Sequence, residues 1–297
     1  MISAGVLSYR RFRYLWTALV LTAIALIIYV TQSHERPARG DTWQGYTLGS
    51  IAAVLVLWLA ILGIRKRRYR STMGSVQGWT SAHIYLGLAV VVIASLHCAF
   101  DFHANIHTYA YLLMCGVVAS GVLGLLFYTS LPRQQSVNRG GVTRKDLFAA
   151  LVALDAEIAA LADHCESEIA AAVKSSIDRT HLGGGVTAQL FGLDRSLFES
   201  PDIKASERHS NVVRNVDQRP VLACVAARIA QTYRASGTAA MQTLVVALAR
   251  RQTLLRRIRR DIQLQGWLKI WLYVHVPLTF ATIAAVIVHI VSVFLYF

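Results

Sequence analysis

The chain is poor in acid. Of its 297 residues only 16 are Asp or Glu, against 30 Lys or Arg, a formal net charge of +14. Cysteine and proline are scarce too, at four and five residues. Cys98, Cys115, Cys165 and Cys224 form no CxxC pair, no CxxCH and no ferredoxin-like run. That excludes covalent haem attachment and cysteine-held iron–sulfur clusters. No Ser/His/Asp set or nucleophile motif stands out. "HLGGGVTAQLFG" lacks the Gly-Lys-Ser or Gly-Lys-Thr ending of a phosphate loop and reads as a flexible linker. Asp163, His164 and Cys165 are adjacent, so on a helix they point in different directions and read as a surface patch rather than a metal site.

What the chain has in abundance is apolar residue: 55% of the total, with mean hydropathy +0.46. These residues are clustered into blocks of about 20 residues, the length that crosses a bilayer as a helix. Five are expected: Tyr14–Val30, Tyr46–Ile64, Ala82–Phe100, Tyr109–Tyr128 and Trp267–Phe297. The first is too long and wrongly flanked for a cleaved signal peptide. The expected class is all-α: a polytopic membrane protein with a bundle of five spans and a helical cytoplasmic insertion. Residues 1–128 would supply four spans, 129–266 the insertion, and 267–297 the fifth span.

The basic residues lie beside these blocks on alternate loops, which argues for membrane topology and against nucleic acid. "YRRFRY" precedes the first block, "RKRRYR" follows the second and "RRQTLLRRIRR" precedes the fifth, whereas "DFHANIHT" has no Lys or Arg. By the positive-inside rule the N-terminus is cytoplasmic and the C-terminus outside, in a membrane such as the bacterial inner membrane. The loop with Arg36 and Arg39 is a mild exception.

In the insertion, Pro132 and the Gly140–Gly141 pair are expected to end the fourth helix. "TRKDLFAALVALDAEIAALADHCESEIAAAV" reads as one amphipathic helix capped near Thr143. Loop and short helices follow to about Arg219. After Gly237 a helix should run almost unbroken into the fifth span. The acidic groups Asp146, Asp155, Glu157, Asp163, Glu166 and Glu168 could pair with the Arg-rich last helix or with a partner.

Four histidines fall inside the expected spans: His83 and His97 in the third, His275 and His289 in the fifth. Ionisable groups at membrane depth usually face the bundle interior or a functional path. Fourteen residues separate the members of each pair. Fourteen helical steps return a side chain to within roughly 40° of its starting direction and about 21 Å along the axis. Both spans run the same way, so His83 meets His275 in the cytoplasmic half and His97 meets His289 in the outer half. Two levels, each with two facing imidazoles, describe two non-covalent b-type haems, each with one axial ligand from each helix.

Small residues between the ligands fit that reading: Gly87, Val90 and Ala94 on one helix, Thr279, Thr282 and Val286 on the other. Gly116, Gly121 and Gly124 would let a porphyrin edge approach the fourth span, and Pro277 would kink the fifth. Arg65, Lys66, Arg68 and Arg133 are candidates to pair with propionates, or serve topology alone. His103 and His107 read as a polar interfacial loop, as groups for a quinone or proton step, or as alternatives to His97 as ligand.

"HIYLGLAVVVIASLH" and "HVPLTFATIAAVIVH" together resemble the histidine helices of the membrane-embedded cytochromes b, most closely the four-helix dihaem core of the quinol-oxidising family. The resemblance covers the spans. It implies haem ligation by His83, His97, His275 and His289. The chain departs from that family in having no Pro-Glu-Trp-Tyr signature, no helix after the second histidine helix, and a large insertion before it. A quinone site is therefore not carried over by residue.

With both axial positions filled by histidine, the chemistry left is one-electron transfer. The expected role is the electron-transfer subunit of a membrane oxidoreductase linked to the quinone pool, with lipid around it and redox subunits docking on the insertion. The alternatives are a self-contained cytochrome acting on ferric iron or superoxide, and a haem-free membrane scaffold or sensor.

Overall fold

In a computed structural model the described residues are 2–31, 42–68, 74–202, 211–231 and 238–295. Arg36 and Arg39 lie outside them, as do the last residues of "RKRRYR". The chain forms two compact units, Met1–Thr129 with Ile270–Phe297, and Ser130–Lys269. Each contains part of two long helices, α5 (Ile106–Arg139) and α10 (Thr238–Leu295).

The first unit is wholly helical among its described residues. To α5 and α10 it adds α1 (Ile2–Leu7), α2 (Arg13–Val30), α3 (Trp43–Arg67) and α4 (Val76–His97). Among the described residues, five helices are long and apolar enough to cross a membrane. Thr42 caps α3 by accepting from the Gly45 amide at 3.1 Å, and Ser75 caps α4 from the Gly78 amide at 3.1 Å. Half of the apolar window of α4 is buried, against 11–17% in the other four, so α4 is the helix the rest surround. Its Ala89, Val90, Ile93 and Ala94 are buried, against Leu48 and Ala52 of α3 and Ala18 and Ala25 of α2.

The outward faces are apolar. On α2, Leu19, Val20, Ile24, Ile27 and Val30 are exposed, and on α10 Phe280, Val291 and Phe294. These exposed apolar side chains lie on helices long and apolar enough to cross a membrane.

In the second unit, α6 (Arg144–Ala162), α7 (Ser167–Asp178), α8 (Val186–Phe191) and α9 (Arg219–Gln231) join the ends of α5 and α10. The strands β1 (Leu197–Glu199) and β2 (Val212–Arg214) pair antiparallel, Phe198 opposite Val213, a sheet the sequence reading did not anticipate. The core joins Ile158, Ile169, Val173, Phe198, Val221 and Val225 to Leu244 and Leu248 of α10. Cys165 and Cys224 pack against it, and burial pushes both thiols above their ordinary range, as expected of inert structural cysteines.

Several sequence expectations change in this unit. The helix of the fourth span does not stop at Pro132 but runs through it to Arg139, ending where Gly140 and Gly141 take positive φ of 62° and 86°. The amphipathic stretch is two helices, not one. It turns at Asp163–Glu166, and α7 folds back so that Lys174 reaches Asp163 at 2.6 Å. Its cap is as expected: Thr143 accepts from the Asp146 amide while Asp146 accepts from the Thr143 amide. The expectation of a near-continuous last helix also holds, since α10 is 58 residues long and continues through Pro277.

The expected acid–arginine pairing occurs inside the unit. Arg251 is fully buried, its Nε 2.6 Å from Asp155, its Nη1 2.6 Å from Gln218 and its Nη2 3.0 Å from Thr180. Glu168 meets Arg228 at 2.7 Å.

Candidate functional site

The four span histidines meet across the first unit in two pairs. The ring centroids of His83 (α4) and His275 (α10) stand 6.4 Å apart with planes at 68°. Those of His97 and His289 stand 6.0 Å apart with planes at 73°. Two imidazoles bound in trans to one metal, at about 2.0–2.1 Å per metal–nitrogen bond, have centroids about 6.4 Å apart. Both pairs match that spacing. Among the described residues no group of three or more His, Cys, Asp or Glu converges as a metal site.

Hydrogen bonds set which nitrogen is free. Nδ1 of His83 lies 3.1 Å from the Leu59 carbonyl and Nδ1 of His97 lies 2.7 Å from the Gly45 carbonyl. A carbonyl only accepts, so each Nδ1 carries the proton and each Nε2 keeps its lone pair. For His275 the partner is the Ser120 hydroxyl, 2.7 Å from Nδ1. That hydroxyl already donates to the Val117 carbonyl at 2.7 Å, so it accepts from His275. Three of four rings thus present a basic Nε2, held by the kind of outer partner that orients metal-binding imidazoles. The exception is His289, whose Nδ1 is buried without a hydrogen-bond partner. A buried ring nitrogen left unanswered costs roughly 1–3 kcal/mol. It is the kind of group a ligand satisfies.

Between His83 and His275 lies a cavity of about 360 Å³, lined also by Gly87, Gly121, Thr279 and Thr282. A Cβ added at Gly87 would meet nothing within 4 Å, and one at Gly121 would approach His275 Cε1 at 3.6 Å. The threonine hydroxyls do not make the wall polar. Thr279 donates to the His275 carbonyl at 2.8 Å and Thr282 to the Leu278 carbonyl at 2.9 Å, so both hydroxyl protons are spent on the helix itself. An apolar cleft with two convergent imidazoles suits a flat, largely apolar cofactor.

The supporting residues were not singled out from sequence. Gly49 gives His97 its place: a Cβ there would sit 2.7 Å from His97 Cε1. Gly45 and Gly49 are four apart on α3, a small-residue spacing that signals close helix approach. Trp271, one turn before His275 on α10, stacks on its ring at 5.2 Å and 25°, and donates from Nε1 to the Ser120 carbonyl at 2.6 Å. Gly124 makes room for that indole, since a Cβ there would overlap the Trp271 ring. Gly124 therefore serves Trp271 rather than a porphyrin edge, and Gly116 packs on Leu278.

The basic candidates divide. Arg65 is buried and spends its guanidinium on backbone, Nη1 on the Arg68 carbonyl at 3.0 Å and Nη2 on the Gly74 carbonyl at 2.6 Å. Arg68 is exposed at the end of α3. Arg133 is exposed and belongs to the other unit. Lys66 is the cation within electrostatic reach of both His83 and His275, with Nζ 5.7 Å from the Tyr128 ring centroid. At the other level His103 is exposed and pairs with Asp101 at 2.9 Å. His107 stands beside His289, centroids 4.5 Å apart, so His289 has two imidazole neighbours, His107 and, at 6.0 Å, His97.

No protein-family model, curated protein or solved structure matches the chain.

Proposed function

We propose that the chain is a membrane-embedded dihaem b-type cytochrome, the electron-transfer subunit of a larger redox complex linked to the quinone pool. The observation that supports it most is the pair of cross-bundle imidazole couples, 6.4 and 6.0 Å apart, on histidines fourteen residues apart in each helix. His83 with His275 would hold one haem and His97 with His289 the other. Bound there, each haem would supply one-electron exchange.

The chain's own part is orientation and exclusion. The Leu59 and Gly45 carbonyls and the Ser120 hydroxyl hold three Nδ1 protons, which raises the basicity of each Nε2. The apolar lining keeps water from the inner level. Lys66 supplies positive charge near that level for an anionic cofactor edge, a role for which Arg65, Arg68 and Arg133 are the other candidates from the sequence. The exposed apolar faces of α2 and α10 support insertion in a bilayer, N-terminus cytoplasmic, as in a bacterial inner membrane. The 130–269 unit would then be the cytoplasmic docking surface for a redox subunit, and a quinone the membrane-borne partner.

Purified protein should give a reduced-minus-oxidised b-type spectrum with two haems per chain. A colourless preparation that does not bind added haem would sink the reading. Co-purifying flavin or iron–sulfur subunits would separate the complex subunit from a self-contained cytochrome.

A further inference from the structure

The "HLGGG" stretch, a plain linker by sequence, forms one wall of a second cavity within the 130–269 unit. This cavity has a volume of about 300 Å³. Gly183 and Gly184 line it at φ +94° and +112°, a conformation that residues with a Cβ rarely adopt. Bare backbone therefore borders the space, and a Cβ at Gly183 would meet nothing within 4 Å. Gly266 of α10 closes another side, where a Cβ would press on Leu190 at 3.5 Å.

The charged lining is cationic only: Arg144 at the start of α6 and Lys269 at the end of this unit, with no Asp or Glu among the lining residues. Arg144 is aimed rather than free. It donates to Gln265 Oε1, which also lines the cavity, and its guanidinium lies 5.6 Å over the Phe148 ring. The nearest acid is Asp261, 3.8 Å from Arg144 Nε, but both oxygens of Asp261 are already engaged by Arg139 at 2.6 and 3.1 Å. Lys269 is exposed and has no acid partner among the described residues. Gln189 belongs to the same rim and braces the loop, donating from Nε2 to the Gly184 carbonyl at 2.8 Å.

A guanidinium held in place, an exposed ammonium, amide side chains and bare glycine backbone are the groups that recognise phosphate oxygens. We infer that this cavity binds a phosphate-bearing anion. Two sources share that chemistry, the headgroup of an anionic lipid and a soluble phosphorylated ligand. Trp267 and Lys269 stand at the start of the last apolar block, and Trp267 packs on Phe191 at 6.4 Å. Aromatic and basic residues at that point of a span are typical of the headgroup level, which favours the lipid.

The test uses the full-length protein in detergent, followed by native mass spectrometry. It is titrated with phosphatidylglycerol, with sodium pyrophosphate and, as control, with phosphatidylcholine. Lys269→Gln and Arg144→Gln are compared with wild type, with circular dichroism to verify their folding. Each substitution removes a charge-assisted contact, so affinity for the true ligand should fall about tenfold or more. Loss of phosphatidylglycerol binding identifies the lipid headgroup, and loss of pyrophosphate binding a soluble anion. If neither probe binds above the phosphatidylcholine control, or if a folded Lys269→Gln protein binds both as wild type does, the inference is overturned.

Discussion

The two units bury polar atoms in opposite ways. In the histidine unit the groups gathered at the site are uncharged and mostly singly bonded: imidazole to carbonyl, imidazole to hydroxyl, threonine hydroxyl back to its own helix. The 130–269 unit buries ionised groups and links them in networks. Arg251 joins Asp155, Gln218 and Thr180, Arg259 meets Asp194 at 2.8 Å, and Arg139 grips Asp261. Surfaces differ in the same sense, for Trp16 is 64% and Phe280 68% exposed in the first unit. A charge taken from water needs partners in place, and an apolar surrounding admits few charges at all. The histidine site, with few charges and one unanswered nitrogen, is where a cofactor could supply the missing contacts.

The largest effect that would sharpen this contrast is loss of a ligand. His83→Ala or His275→Ala should remove the same one of two haems, and His97→Ala or His289→Ala the other, counted by pyridine haemochrome. Should His83→Ala and His289→Ala remove the same one, the pairing by level is wrong. Next comes the charged network. Arg251→Met strands Asp155 beside the core and should destabilise the 130–269 unit by about 3 kcal/mol, read by urea unfolding, while haem content is retained. Parallel loss of haem would show that the two units are not independent in this respect.

Supporting residues should act more gently. Gly49→Val places a side chain against His97 and should weaken the His97/His289 haem about 10- to 100-fold while leaving the other intact. Ser120→Ala removes the acceptor of His275 Nδ1 and should weaken the His83/His275 haem about tenfold, with Ser120→Thr restoring it. Haem titration with each level followed spectrally would check both.

The smallest effect concerns pH in the charged unit. Asp217, in left-handed conformation at φ 54°, accepts from Arg256 and lies 3.3 Å from Arg219, and the Arg256 bond holds its carboxyl below the usual range. A depressed carboxylate contributes stability above its unfolded value of about 3.9 and loses it as pH falls through the lower folded value. Asp217→Asn, which tolerates the same backbone, should cost stability at pH 7 and converge with wild type in acid. A gap that stayed constant from pH 7 to acid would assign the effect to packing instead.

Much of the histidine unit is legible without coordinates. The apolar blocks, the repeated histidine spacing and the shared direction of the two helices foretell which ring meets which, and His83–His275 and His97–His289 do meet. Less legible were the residues that hold the rings. Ser120 looks like any small residue of a membrane helix, and Leu59 acts through its carbonyl, which its side chain does not advertise. Gly45 and Gly49 had a signal in their spacing, and Trp271 had one in standing a turn before His275. In the other unit, the turn at Asp163–Glu166 and the β1–β2 pair depend on contacts between segments far apart in sequence, which helical periodicity does not report.

By itself, then, the sequence determined the helical class, the five apolar helices, the continuity of α10 and the two-level placement of histidine. All of these follow from hydropathy and helical period, which are local and repeat along one chain. Only the tertiary structure decided that Arg65 spends its guanidinium on the Arg68 and Gly74 carbonyls, that Lys66 lies near the inner pair, that Gly124 serves an indole, and that His289 keeps an unanswered nitrogen. Those outcomes depend on how each helix is rotated against its neighbours, and that rotation is set by packing across the bundle.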